Sequence, residues 1–249
     1  MFDCIILAGG NGSELAESRG VKNKGLAKIG DKEILTRVLE VFNQVEDISR
    51  IALVGPAEEL SLVTRDFSIH IIPEGDSILQ NIVAANRALQ GSGLVLISSA
   101  DIPLISTASI KDFLIKCQPY QSDFYYPIVK KEVIEALSGE INKTFVSLKE
   151  GIFTGGNIFL VNSAKIESSV PVVEQFLQHR KNPLKMVSLL GAGFIARFLS
   201  KQLAIKHLEE RFSKLLYLKA NAVISSYPEL AFDVDEPEDI KLAEELLSE

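Results

Sequence analysis

The sequence predicts an α/β domain built on a mostly parallel sheet with helices on both faces. Short apolar runs alternate with longer segments whose apolar residues recur at helical spacing. The first three runs stop at glycine or proline, which punctuate strands and turns. Strand–helix–strand–helix–strand alternation is the pattern of a parallel sheet covered on both sides. The chain has 249 residues, enough for one large domain or two small ones.

The first strand is Cys4-Ile5-Ile6-Leu7-Ala8. Gly9, Gly10 and Gly12 follow it at once. Glycine lets backbone N–H groups face a ligand with no side chain in the way, and a strand running into such a loop suits phosphate binding. Arg19, Lys22, Lys24, Lys28 and Lys32 come next, so the stretch offers backbone donors first and cations second. It fits neither of two common glycine loops. The dinucleotide fingerprint fails because Leu15 stands where a third glycine is needed, and no Walker string occurs.

A helix is predicted from Ile34 to Phe42, where Leu35, Val38, Leu39 and Phe42 share a face. Ile51–Val54 is the second strand, Ala57–Arg65 a helix, and His70–Ile72 a short third strand closed by Pro73. Ser77–Leu89 carries an apolar stripe of Ile78, Ile82, Ala85 and Leu89, and Ser77 is placed to cap it. The most apolar strand, Leu94–Ile97, leads into Ser98-Ser99-Ala100-Asp101-Ile102-Pro103. A carboxylate at the end of a central parallel strand is well placed for a ligand; the same Asp and Pro also suit a plain turn.

Ser106–Cys117 reads as a helix and Phe124–Ile128 as a strand. Gly155-Gly156 lies between two apolar runs and predicts a tight connection. The stretch 171–218 changes character, with short helical segments broken around Arg180-Lys181-Asn182-Pro183. Phe194, Phe198, Leu199 and Leu203 give it an apolar face. Packing on the sheet is the plain reading; a homodimer contact or an acceptor lid are the alternatives. Near the end, Asp235 and Glu238 have capping-box spacing and Pro237 suits a first helical turn.

Composition narrows the function classes. A net charge of −7 argues against a nucleic-acid partner, so a polyanion site must be a local basic pocket. Two cysteines, Cys4 and Cys117, predict no disulfide framework and a reducing, cytoplasmic setting. His70, His179 and His207 show no zinc spacing. The apolar stretch 186–199 is too short, and too flanked by charge, to span a bilayer.

The string Leu7-Ala8-Gly9-Gly10-x-Gly12, with Lys24-Gly25-Leu26 downstream, resembles the opening of the MobA-like NTP transferases. Asp101-x-Pro-Leu104 resembles that family's "DxPL" segment, and Asp233-Val-Asp235-Glu-Pro-Glu-Asp-Ile240 its closing "DVDTPEDL". These landmarks run the length of the chain. The resemblance implies one GT-A-like three-layer α/β/α domain over 1–249, with a helical insertion at about 171–218. It implies transfer of a nucleotide from an NTP to a phosphorylated small-molecule acceptor, with pyrophosphate released. Leu7, Ala8, Gly9, Gly10, Gly12 and Lys24 would bind the triphosphate. Asp101 and Asp235 would hold Mg²⁺. Ser77 and Asn81 open the helix whose start faces the nucleotide, with a solvent-facing role as the rival for Asn81. Thr154, Gly156 and Asn157 would serve the acceptor.

The family's loop carries an Arg two residues after its last glycine; this chain has Glu14 there. That departure keeps a non-catalytic nucleotide-binding protein in play. A glycosyltransferase using a sugar nucleotide is the other rival, disfavoured because no D-x-D motif lies in mid-chain.

Overall fold

The computed structural model describes residues 1–9, 14–138, 143–179 and 182–248, the side chains of Glu14 and Ser138 excepted. In chain order the elements begin β1 (Phe2–Leu7), α1 (Glu14–Ser18), β2 (Lys28–Ile29), β3 (Lys32–Glu33), α2 (Ile34–Asn43), β4 (Ile48–Gly55), α3 (Ala57–Val63) and β5 (Ile69–Pro73). Then come α4 (Ile78–Leu89), β6 (Leu94–Ser99), α5 (Thr107–Cys117), β7 (Phe124–Lys130), α6 (Lys131–Ser138), β8 (Val146–Leu148), β9 (Gly151–Gly155) and β10 (Ile158–Asn162). Four helices, α7 (Ile166–Leu177), α8 (Pro183–Leu190), α9 (Ala192–Leu199) and α10 (Ile205–Leu216), precede β11 (Ala220–Ser225) and α11 (Pro237–Ser248).

Among the described residues, nine strands form one sheet in the order β5-β4-β1-β6-β10-β7-β9-β8, with β11 beside β7. β5, β4, β1 and β6 are mutually parallel, whereas β10 runs antiparallel to β6 and β7. The sheet is therefore mixed, and Gly9 and Asp101 follow strands of its parallel half.

Burial explains the unbroken apolar run Cys4–Leu7 of β1. Cys4, Ile6 and Ala8 face one core, with Leu35, Val38, Leu39 and Phe42 of α2, Ile110, Phe113 and Leu114 of α5, and Ile240 and Ala243 of α11. Ile5 faces the other core, with Leu79, Ile82, Ala85 and Leu89 of α4 and Ile166 of α7. Alternate residues of one strand thus enter opposite layers. Each fully buried Leu, Ile or Phe contributes about 1.5–3 kcal/mol.

Ser77 and Ser106 are the caps of α4 and α5, accepting from Gln80 N at 3.2 Å and Ser109 N at 3.1 Å. The Gly155-Gly156 pair does join two strands, but β9 and β10 do not pair with each other. They lie end to end along one edge of β7, with β11 on its other edge. A Cβ on Gly156 would come within 2.9 Å of Pro127 Cγ and 3.1 Å of Leu230 O, so only glycine fits that crossing. The capping of α11 also differs from expectation: Asp239, not Glu238, reaches back, accepting from Asp235 N and Glu236 N at 2.8 Å each. Cys4 and Cys117 are buried free thiols, and burial raises the pKa of both, that of Cys117 to about 12.

Candidate active site

The site forms where β1 and β6 end side by side. Leu7 pairs with Ser99, and Ala100 N donates to Leu7 O at 3.0 Å. Asp101 therefore follows β6 directly beside the end of β1. Gly9 lies against α4's entry: a Cβ there would meet Glu74 Oε2 at 2.8 Å and Asn81 Nδ2 at 3.0 Å. Gly10 and Gly12 lie outside the described residues, as does the Glu14 side chain.

Asn23 brings Lys24 to the same place. Its side chain is buried. Oδ1 accepts from Gly25 N at 2.7 Å, opening the 3-10 turn Lys24–Leu26. Nδ2 donates to Ala8 O at the end of β1. Gly25 lies beside Ala100: a Cβ on it would be in ordinary contact with the Ala100 Cβ at 3.6 Å and would come within 3.1 Å of Asn23 Oδ1. The turn is thus fixed to both strand ends, and Lys24 Nζ lies 2.5 Å from Asp101 Oδ2 and 2.5 Å from Asp235 Oδ1. Burial works to lower the Lys24 pKa, but Asp101 and then Asp235 more than offset it and hold it above the ordinary lysine value.

The C-terminal segment completes the cluster. Val234 N donates to Asp101 O at 2.9 Å, tying the two distant segments together. Phe232 and Val234 are buried, so the alternation of an extended segment turns Asp233 and Asp235 to the other face. Asp101, Asp233 and Asp235 each offer an oxygen, all within 4.8 Å of one another. Asp233 also pairs with Lys143 and accepts from Asn157 Nδ2 at 3.3 Å. Burial raises the Asp233 pKa; Lys143 opposes this, and Asp101 and Asp235 add to it.

Of the residues expected from sequence, Leu7, Ala8, Gly9, Lys24, Asp101 and Asp235 come together here, and Asn157 touches the cluster through Asp233. Asn81 is not solvent-facing: it is buried, and its Oδ1 accepts from Gly75 N at 2.6 Å. Ser77 remains exposed at the start of α4. Thr154 is buried in β9 opposite Val129, and Gly156 serves the strand crossing. Lys28 is exposed, 3.5 Å from Glu33, and Lys22 pairs with Glu59. Asp233, Lys143 and Asn23 were not anticipated. The signal for Asp233 was its place two residues before Asp235, which in an extended segment shares a face.

Three carboxylate oxygens form an all-oxygen donor set, which fits a hard divalent cation such as Mg²⁺. Parallel strands delivering these groups to one edge, inside a mixed sheet with helices on both faces, have the architecture of the GT-A-like nucleotidyltransferases.

The model of the MobA-like NTP transferase domain matches residues 4–187. The chain belongs to that family, whose chemistry is nucleotidyl transfer. Among solved structures, a hypothetical transferase from Thermus thermophilus is 29% identical, with a TM-score of 0.83 over 96% of this chain and 99% of that one. Two more distant structures share the fold. The 4-diphosphocytidyl-2C-methyl-D-erythritol synthase of Anaerococcus prevotii has a TM-score of 0.61 at 13% identity, covering 100% of this chain and 96% of that one. Molybdopterin-guanine dinucleotide biosynthesis protein A of Archaeoglobus fulgidus has 0.55 at 14%, covering 99% of each. No match was found among curated proteins.

Proposed function

We propose that the protein is a Mg²⁺-dependent nucleotidyltransferase that moves an NMP from an NTP to a phosphorylated small molecule and releases pyrophosphate. The observation that carries the reading is Lys24 held between Asp101 and Asp235 at the ends of β1 and β6.

Asp101, Asp233 and Asp235 would hold Mg²⁺, which when bound supplies neutralisation of phosphate charge. The loop from Gly9 to Gly12 would bind the triphosphate through backbone N–H groups. Lys24 would exchange its carboxylate partners for phosphate oxygens as the NTP enters. An acceptor phosphate oxygen would attack the α-phosphorus in line; the bond to the bridging oxygen breaks and pyrophosphate leaves. A phosphate nucleophile is already anionic near pH 7, so the chain needs no strong general base. Its work is positioning and charge neutralisation. Asn157, already bonded to Asp233, would stand on the acceptor side, with Thr154 and Gly156 shaping the strand behind it.

Pyrophosphate release from each NTP, with and without a panel of sugar and alcohol phosphates, tests this reading. Release that requires both an NTP and an acceptor is the expected result. Release of a nucleoside diphosphate from a sugar nucleotide would instead favour a glycosyltransferase.

A further inference from the structure

The segment 175–208 carries Arg180, Lys181, Lys185, Arg197, Lys201 and Lys206 and not one Asp or Glu. The whole chain has 26 Lys and Arg against 33 Asp and Glu. Six of the basic residues and none of the acidic ones fall in this segment, which leaves the remainder at −13. A basic island in so acidic a chain is a strong local field.

The same segment exposes apolar side chains. α8 is anchored on one side only, through buried Val187 and Leu190 and through Arg211 Nε, which donates to Leu190 O at 2.9 Å. α9 has no buried residue. Leu184 is 47% exposed and Leu199 69%. Phe194, Ile195 and Phe198 are half-buried and lie with Leu199 in one stripe at helical spacing. Lys185 on α8, Arg197 on α9 and Lys201 just after it are all exposed, and the Arg197 guanidinium lies 5.9 Å from the centre of the Phe194 ring.

We infer that the α8–α9 hairpin docks on an anionic phospholipid bilayer surface. Exposed apolar side chains and exposed lysine and arginine on one short hairpin match the acyl boundary and the phosphate headgroups together. Each helix has eight residues, about 12 Å, which suits lying in the interface. Among the described residues no helix is long and apolar enough to cross a membrane. A second copy of the chain fits less well. A two-fold contact would set Lys185 and Arg197 near their own copies, with no acidic residue in the segment to offset them. Nucleic acid would answer the charge but not the exposed Leu184 and Leu199.

The test is co-sedimentation of the full chain with phosphatidylcholine vesicles, with and without phosphatidylglycerol. Binding should require phosphatidylglycerol and weaken at high salt. Arg197→Glu and Leu199→Asp should each weaken it by about tenfold or more. Leu184→Ser is a milder second variant, and melting temperatures confirm that each variant is folded. Four results would overturn the inference. They are no binding to either vesicle, and binding indifferent to folded variants at all three positions. The others are a dimer by sedimentation velocity that Leu199→Asp dissociates, and duplex DNA binding that Arg197→Glu abolishes and Leu199→Asp leaves unchanged.

Discussion

Lys24 Nζ sits 2.5 Å from Asp101 and 2.5 Å from Asp235, joining the turn after α1 to the segment before α11. The Lys24 side chain is 23% exposed and that of Asp235 61%, so the pair borders solvent and its cation can be redirected to an incoming phosphate. In the proposed reaction, removing it would take a charge from where the transition state needs one.

Lys24→Ala is expected to lower kcat/KM for the NTP by about 10²-fold or more, because a charge stabilising phosphoryl transfer is worth a few kcal/mol. Lys28→Ala should change it little, since Lys28 is exposed and away from the carboxylates. Steady-state kinetics on both variants checks the assignment; equal losses would place the wrong lysine at the phosphates.

Asn23→Ala removes the acceptor that caps the Lys24 turn and the donor that holds it to Ala8. The expected loss is about 1–2 kcal/mol of stability, the cost of a lost cap or buried hydrogen bond, together with a fall in kcat/KM. Denaturant titration and kinetics on one variant read both effects. A destabilised enzyme with full activity would separate the turn from catalysis.

Asp233 gives a pH-dependent expectation. Its carboxyl titrates above the ordinary value of 3.8 because burial outweighs Lys143. A raised acid contributes stability below its unfolded pKa and loses it as pH rises through the folded one. In metal-free buffer, Asp233→Asn should therefore melt at a higher temperature than the parent near pH 7. The gain should fade as pH falls toward 3.8. Mg²⁺-dependent turnover should fall in the same variant. Melting curves from pH 4 upward with a chelator present test the sign; a lower melting temperature at neutral pH would show that the Lys143 pair dominates.

Glu14 stands where the family has Arg, and a carboxylate about 5 Å from the triphosphate would repel it by roughly 3 kcal/mol at an effective dielectric of ~20. Micromolar NTP affinity in the parent chain, weakened by Arg19→Ala, is the expected outcome if Arg19 has taken over the cation's role. Weak parent binding that Glu14→Arg tightens would mean that the pocket is impaired. Titration calorimetry with Mg²⁺ present distinguishes them.

Much of this was legible in the sequence, for physical reasons that differ by residue. The inner runs Cys4–Leu7 of β1, Ile51–Val54 of β4 and Leu94–Ile97 of β6 are apolar because both faces of the sheet are covered there, and short apolar runs between turns say so. Asp101 and Asp235 were legible from the strand end and the closing string. Asp233 was not, because its meaning depends on Val234 bonding to Asp101 across the fold. Asn23 was not, and Asn81 was picked out without its burial or its bond from Gly75 N, because an amide's partners here are backbone groups that sequence spacing does not place together. The end-to-end arrangement of β9 and β10 along β7 was hidden for the same reason. The helices α7–α10 show apolar faces in sequence, but which faces stay uncovered is a matter of packing.

Attack on the α-phosphorus at the carboxylate cluster is read out by incubating the enzyme with an acceptor phosphate and NTP labelled either at the α- or at the γ-phosphorus. The α-label should enter the acceptor and the γ-label appear as pyrophosphate, and Asp101→Asn and Asp235→Asn should each abolish both while remaining folded. Label released as orthophosphate, or undiminished transfer in either variant, would contradict it.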